Sequence, residues 1–147
     1  MNITVNRKAH FDYDLLEFFE AGVVLLGSEI KSIRAGLCNL SDAYGFVSDG
    51  NIELLNSYIA PYKTALTQHD PYRTRRLLLH KREIRKIQEL VKLKKYILIA
   101  TRLYFVRNNV KCELALAVGK KKQDKRAAVK ERDEKREAAY QLKNRKE

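Results

Sequence analysis

Residues 110–118 alternate without a break. Val110, Cys112, Leu114, Leu116 and Val118 fall on one face, and Lys111, Glu113, Ala115 and Ala117 on the other. A period of two predicts a half-buried strand. Residues 96–106 are dense in Ile, Leu and aromatics and read as its partner, joined through a turn at Arg107-Asn108-Asn109, where asparagine tolerates the left-handed conformation. A second hairpin is written as 44–48 and 52–59 around Asp49-Gly50-Asn51, because Asp-Gly supplies the positive φ that a tight turn needs. Pro61 ends it. From Lys81 to Lys95 the period becomes helical: Ile84, Ile87, Leu90 and Val91 form one stripe. Residues 28–36 predict a shorter helix. Gly27 or Ser28 caps its start, Glu29 sits in the first turn, Arg34 in the last and Gly36 at C′, with Ile30 and Ile33 pointing inward.

The remaining stretches are less regular. Residues 11–26 hold Phe11, Tyr13, Leu15, Leu16, Phe18, Phe19 and then Val23 to Leu26, interrupted by Gly22. They predict two strand segments bent at Gly22. A short helix is the alternative for the first part, since Leu15, Leu16 and Phe19 also fall at helical spacing. Asn6-Arg7-Lys8-Ala9 reads as a short basic arm, and residues 62–72 as a loop. Several short antiparallel strands with few helices predict a mainly β chain. Its expected form is a small closed antiparallel OB-fold-like β-barrel over residues 1–118, with flanking helices and a basic C-terminal tail over 119–147.

Charge sharpens this picture. The chain of 147 residues carries a formal net charge of +12. Such a balance points to a polyanionic partner, because Lys and Arg neutralise phosphates and release counterions; an anionic membrane surface is the competing reading. From Lys120 onward twelve Lys or Arg face six Asp or Glu, and the apolar residues are four alanines with Val129, Tyr140 and Leu142. That segment has helix-forming composition and no face to bury, so it is expected to be disordered when free and helical when bound. Lys31 and Arg34 on the outside of the short helix, and Arg73, Arg75 and Arg76 before Leu77-Leu78-Leu79, are candidate RNA contacts. Lys111, opposite the core face of its strand, is open to a phosphate or to water. Leu78 offers either a core position or an apolar contact. The basic positions of the long helix suit a solvated face or an RNA surface.

Chemical signatures are few. Cys38 and Cys112 form no CxxC pair, and His10, His69 and His80 are not at metal-ligand spacing. No Walker A loop, GxGxxG or nucleophile elbow is present. No catalytic residue, metal or cofactor is therefore assigned. A metal-dependent ribonuclease remains as an alternative only if the fold gathers Glu20, Asp42 and Asp70. No apolar run reaches the ~18 residues of a spanning helix, and the N-terminus lacks a signal-peptide h-region, so a cytoplasmic location is expected; the chain is also expected to be a monomer.

Several motifs, in order, carry a resemblance. They are Asn6-Arg7-Lys8-Ala9, Phe19-Glu20-Ala21-Gly22, Gly27-Ser28-Glu29-Ile30-Lys31-Ser32-Ile33-Arg34-Ala35-Gly36 and Asn39-Leu40-Ser41-Asp42-Ala43-Tyr44. Asp70-Pro71, Arg73-Thr74-Arg75-Arg76-Leu77-Leu78-Leu79, Leu103-Tyr104-Phe105, Gly119-Lys120-Lys121 and Asp124-Lys125-Arg126 complete the set. Together they resemble the SmpB family, partners of transfer-messenger RNA in trans-translation. The resemblance implies an oligonucleotide-binding barrel that binds the tRNA-like domain of that RNA. It implies that Glu20, Leu78 and Lys111 make the contact. It further implies that Gly119, Lys120, Lys121, Asp124, Lys125 and Arg126 belong to a tail that enters the empty messenger channel near the small-subunit decoding region of a stalled ribosome and becomes helical there. Gln123, Glu134 and Phe11 depart from the family pattern, where an aromatic or His, a Trp and a His respectively are frequent.

Overall fold

The computed structural model describes residues 2–62 and 68–120. In chain order the elements are β1 (Asn2–Val5), α1 (Arg7–Asp12), β2 (Tyr13–Val23), α2 (Gly27–Arg34), β3 (Cys38–Asn39), β4 (Tyr44–Ser48), β5 (Asn51–Leu55), β6 (Tyr58–Ile59), β7 (Arg75–Leu78), α3 (Lys81–Lys94), β8 (Ile97–Val106) and β9 (Asn109–Gly119). All pairings among them are antiparallel. Six strands form a ring in the order β8-β4-β5-β7-β2-β9, and the β9–β8 pairing returns to the start. Strand β1 adds to β8, while β3 and β6 make a separate two-stranded sheet.

The ring follows from the period-two patterning. Ile52 and Leu54, Leu77, Phe19 and Ala21, Cys112, Leu114 and Leu116, and Leu98 and Ala100 are buried and meet in one cluster. Ile33 of α2 and Ile87 of α3 join it, and Ile84, Leu90 and Val91 pack against it, so the predicted stripe of α3 is the face it buries. The opposite face of α3 keeps Lys81, Arg82, Arg85, Lys86, Lys92 and Lys94 exposed. Lys31 and Arg34 are likewise exposed on α2.

Several expectations are corrected. Asn6-Arg7-Lys8-Ala9 is no free arm: it starts α1. The buried Asn6 amide donates to Leu40 O at 2.9 Å and Ala100 O at 3.0 Å, while its oxygen accepts from Ala9 N at 3.1 Å. Three satisfied bonds make it an N-cap and a staple at once. Residues 11–26 are not two strands bent at Gly22. Phe11 ends in α1, and β2 then runs unbroken through Gly22, its irregularity lying between Leu15 and Glu17. Neither Gly27 nor Ser28 caps α2 through a side chain; the Glu29 carboxylate reaches back to Leu26 N at 2.8 Å. The return strand of the Asp49-Gly50 hairpin stops at Leu55, because Asn56 turns left-handed at φ 59°, and Tyr58–Ile59 leaves to pair with β3. At the β8–β9 turn it is Arg107, at φ 57°, that takes the left-handed conformation.

Strand β9 also differs in detail. Val118 is exposed, whereas Ala115 and Ala117 are buried. Ala117 packs with Ala9 and Ile99 in a second cluster, flanked by Tyr13 and Leu15, so α1 covers the lower outward face of the β2–β9–β8 sheet. No helix among the described residues covers the upper outward face.

The ring is tight at Gly45, which pairs with Leu98 of β8 and Leu54 of β5. A Cβ there would stand 2.5 Å from Leu98 Cδ2 and 2.8 Å from Cγ. Gly45→Ala is therefore expected to destabilise the fold by about 1–3 kcal/mol, the usual scale for overpacking, read as a lowered urea midpoint with an unchanged m-value.

Candidate nucleic-acid interface

Three strands bring Glu20, Leu78 and Lys111 to one place. Gly22 of β2 stands opposite Leu78 of β7 on one side and Lys111 of β9 on the other. Glu20 lies two residues earlier on the same outward face of β2. Its bare glycine floor matters: a Cβ at Gly22 would sit 3.4 Å from Leu78 Cβ and 3.8 Å from Lys111 Nζ. The result is a groove of about 300 Å3, walled also by His80 and Glu83 at the start of α3. Leu78 is 53% exposed, which removes its core reading. Among the described residues no carboxylate lies within ion-pair distance of Lys111. Arg76 shares the outward face of β7 with Leu78 and donates to Asn51 Oδ1 at 3.2 Å. Lys31, whose ammonium lies 5.5 Å from the Tyr62 ring centre, and Arg34 are outside this groove.

Arg73 and Arg75 point elsewhere. The Arg75 side chain is fully buried: Nε donates to Glu29 Oε2 at 2.6 Å, Nη1 to Ser57 O and Oγ at 2.8 and 2.9 Å, and Nη2 to Pro71 O at 3.2 Å. This corrects Arg75 as an RNA contact, since no part of its guanidinium reaches the surface. Arg73 is partly exposed but bound to the same carboxylate, with Nη2 2.5 Å from Glu29 Oε1 and 3.3 Å from Val24 O. Burial alone would raise the Glu29 pKa; the hydrogen bonds from Arg73 and Leu26 N and the charge of Arg75 reverse this and hold it below the ordinary value. Such a cluster fixes α2 to β7 and to the turns at Ser57 and Pro71.

The first residues of the basic tail are anchored. Gly119 pairs with Tyr13 inside β9, one residue past the predicted end of the barrel. Lys120 N donates to Asp12 O at 3.0 Å, and its ammonium to His10 O at 3.3 Å. A cation thus meets carbonyls at the C-terminal end of α1. Lys121, Asp124, Lys125 and Arg126 lie outside the described residues. Among those described, no three His, Cys, Asp or Glu side chains gather as a metal site; Glu20 and Asp42 line separate grooves, and Asp70 lines neither. No helix among them is long and apolar enough to cross a membrane.

The family model described as SmpB protein matches residues 3–144. This chain belongs to the SmpB family. It is 52% identical over 136 residues to the SsrA-binding protein of Sulfurihydrogenibium sp. (strain YO3AOP1), covering 92% of this chain and 90% of the relative. It is 49% identical over 142 residues to the SsrA-binding protein of Persephonella marina, covering 96% and 93%. A solved chain described as "tmRNA-SmpB: a journey to the center of the bacterial ribosome" superposes with a TM-score of 0.68 at 41% identity, over 86% of this chain and 93% of that one.

In this SmpB-family chain the sequence hid two sets of residues. One is the Glu29 cluster, whose partners are 44 and 46 positions away; a buried carboxylate inside a helical turn looks the same as a first-turn charge. The other is Arg102, Tyr104 and Glu113 on the upper outward face. Tyr104 donates to Glu20 Oε2 at 2.6 Å, and Arg102 grips Glu113. Beyond the Leu103-Tyr104-Phe105 motif, their sequence signal is the strand period, which gives the face but not the neighbour.

Removing one member of a buried ion pair strands the other. Glu29→Gln is expected to cost about 3–5 kcal/mol at pH 7 in urea unfolding. Because the folded carboxyl titrates below its unfolded value of 4.5, its stabilisation is present above that pH and is lost as pH falls through the folded value. The gap between the wild type and Glu29→Gln should therefore narrow in acid.

Proposed function

We propose that this chain binds transfer-messenger RNA and delivers it to stalled ribosomes for trans-translation, as an RNA-binding adaptor and not an enzyme. SsrA-binding relatives at about half identity support this, as does the solved neighbour described with tmRNA and the bacterial ribosome. The carrying observation is the convergence of Glu20, Leu78 and Lys111 on one groove from three strands. Lys111 meets a phosphate of the tRNA-like domain, Leu78 offers an apolar surface, and Glu20 accepts from a base edge or a 2′-hydroxyl. Arg76 extends the cationic surface along β7. Lys31, Arg34 and the exposed part of Arg73 are further backbone contacts on the α2 side.

The ring of strands acts as an OB-fold-like closed barrel, a form whose strand faces suit structured RNA. The tail begins where Lys120 leaves α1. Lys121, Asp124, Lys125 and Arg126 enter the messenger channel near the decoding region, and the tail becomes helical against phosphate. The protein works in the cytoplasm as a monomer.

Binding to an isolated tRNA-like RNA, measured at several salt concentrations, tests the groove. Lys111→Ala should weaken binding and flatten the log–log salt slope by about one contact, and Glu20→Ala should weaken it at constant slope. Truncation after Lys120 should leave this affinity within about twofold while abolishing rescue of ribosomes stalled at a messenger end; twofold is under half of the 1.4 kcal/mol that a tenfold change represents. Wild-type affinity in both point variants would overturn the groove assignment, and full rescue by the truncated protein would overturn the role of the tail.

A further inference from the structure

Glu20 faces a problem of its own register. It stands directly opposite Glu113 across the β2–β9 pair, and like charges in that position repel. The two carboxylates are treated differently. Glu113 is saturated: Thr101 Oγ1 donates to its Oε2 at 2.8 Å, Arg102 Nε to the same oxygen at 3.1 Å, and Arg102 Nη2 to Oε1 at 3.4 Å. Glu20 has one partner among the described residues, the Tyr104 hydroxyl, which takes Oε2 at 2.6 Å and leaves Oε1 open.

Tyr104 is well built for this. It sits on β8 opposite Lys111, so its side chain reaches diagonally across β9 to a residue at the register of Glu113. The residue is 8% exposed, and its ring lies under the Arg102 guanidinium, 4.3 Å from the ring centre. Arg102 is itself fixed by Glu113 and by Asn2 Oδ1 at 2.8 Å. Burial and the bond to Glu20 push the phenol pKa up, so the hydroxyl stays a donor at any physiological pH.

We infer that Tyr104 is a positioning residue of the RNA groove: its hydroxyl holds Glu20 by one oxygen, aims the other at a donor on the RNA, and keeps the carboxylate from collapsing onto Lys111. Glu20 and Lys111 line the same groove and yet form no ion pair. Released from Tyr104 and repelled by Glu113, Glu20 would find its nearest relief in that lysine, and a cation meant for phosphate would be neutralised internally. The ligand feature recognised at Oε1 is an N–H of a base edge or a ribose hydroxyl. Phosphate, which carries no donor, is refused there. A site that combines a fixed acceptor with a free cation reads donor next to phosphate, which is a shape-specific signature rather than bare polyanion affinity.

The inference rests on the RNA-binding reading, and a double-mutant cycle separates the two. Tyr104→Phe keeps the ring under Arg102 and removes only the hydroxyl. Full-length wild type, Tyr104→Phe, Glu20→Ala and the double variant are titrated with the tRNA-like RNA. Tyr104→Phe is expected to weaken binding roughly tenfold, the scale of one hydrogen bond to a charged group. It should add nothing to Glu20→Ala. A purely structural role for the hydroxyl would lower affinity by the same factor in both backgrounds, and that additivity would overturn the inference. So would wild-type binding by Tyr104→Phe when Glu20→Ala is weakened. Wild-type binding by Glu20→Ala and Lys111→Ala together would instead remove the groove itself, and this inference with it.

Discussion

Strand β9 is paired along both edges, to β2 over Tyr13–Gly22 partners and to β8 over Ile97–Val106 partners, and its register is the constraint on which the other features depend. A strand buried between two neighbours must satisfy every backbone donor and acceptor through them. The side-chain period of two then leaves one solution. A slip of one residue would bury the Lys111 ammonium and expose Cys112, whereas in the native register it is the Cys112 thiol that is buried, which raises its pKa to about 12. The same register closes the ring, brings Lys111 beside Gly22, places Glu113 opposite Glu20 and lays Tyr104 across the strand between them.

This sheet divides its outward face between two uses. Below, small residues on β9 let α1 come close: Ala117 meets Ala9 and Ile99 with almost no accessible surface left. Above, the side chains are larger and polar, and no helix among the described residues covers the face. The division is made by side-chain size along a single strand, alanine at 115 and 117 against Glu113 and Lys111. It also sets the exit of the tail, because α1 ends where β9 ends and offers its last carbonyls to Lys120.

Charge is used in two opposite ways in the same molecule. At Glu29, Arg73 and Arg75, charge is taken inside and saturated, which contributes little net stability but fixes one arrangement of α2 against β7. In the groove, Lys111 has no ion-pair partner among the described residues. The groove carboxylates are given other donors instead: Arg102 and Thr101 for Glu113, Tyr104 for Glu20.

Residue order alone fixed the periods, and with them the long helix, the Asp49-Gly50 hairpin, the β8–β9 hairpin and the core placement of Cys112, because burial of one face writes itself into local spacing. It also carried the family motifs and the excess of positive charge. It did not show that Asn6 would be buried, that Phe11 would lie in a helix rather than begin a strand, or that 52–59 would split at Asn56. Each of these depends on a partner far along the chain: Leu40 and Ala100 for Asn6, β3 for Tyr58 and Ile59. The arginines make the point most clearly. Arg73, Arg75 and Arg76 are equivalent as letters, yet strand alternation and the distant Glu29 send Arg75 to the interior, tie down Arg73 and leave Arg76 outside. Which cations are free is a property of tertiary neighbours, since a charge is spent or available only by virtue of what stands within a few ångströms of it.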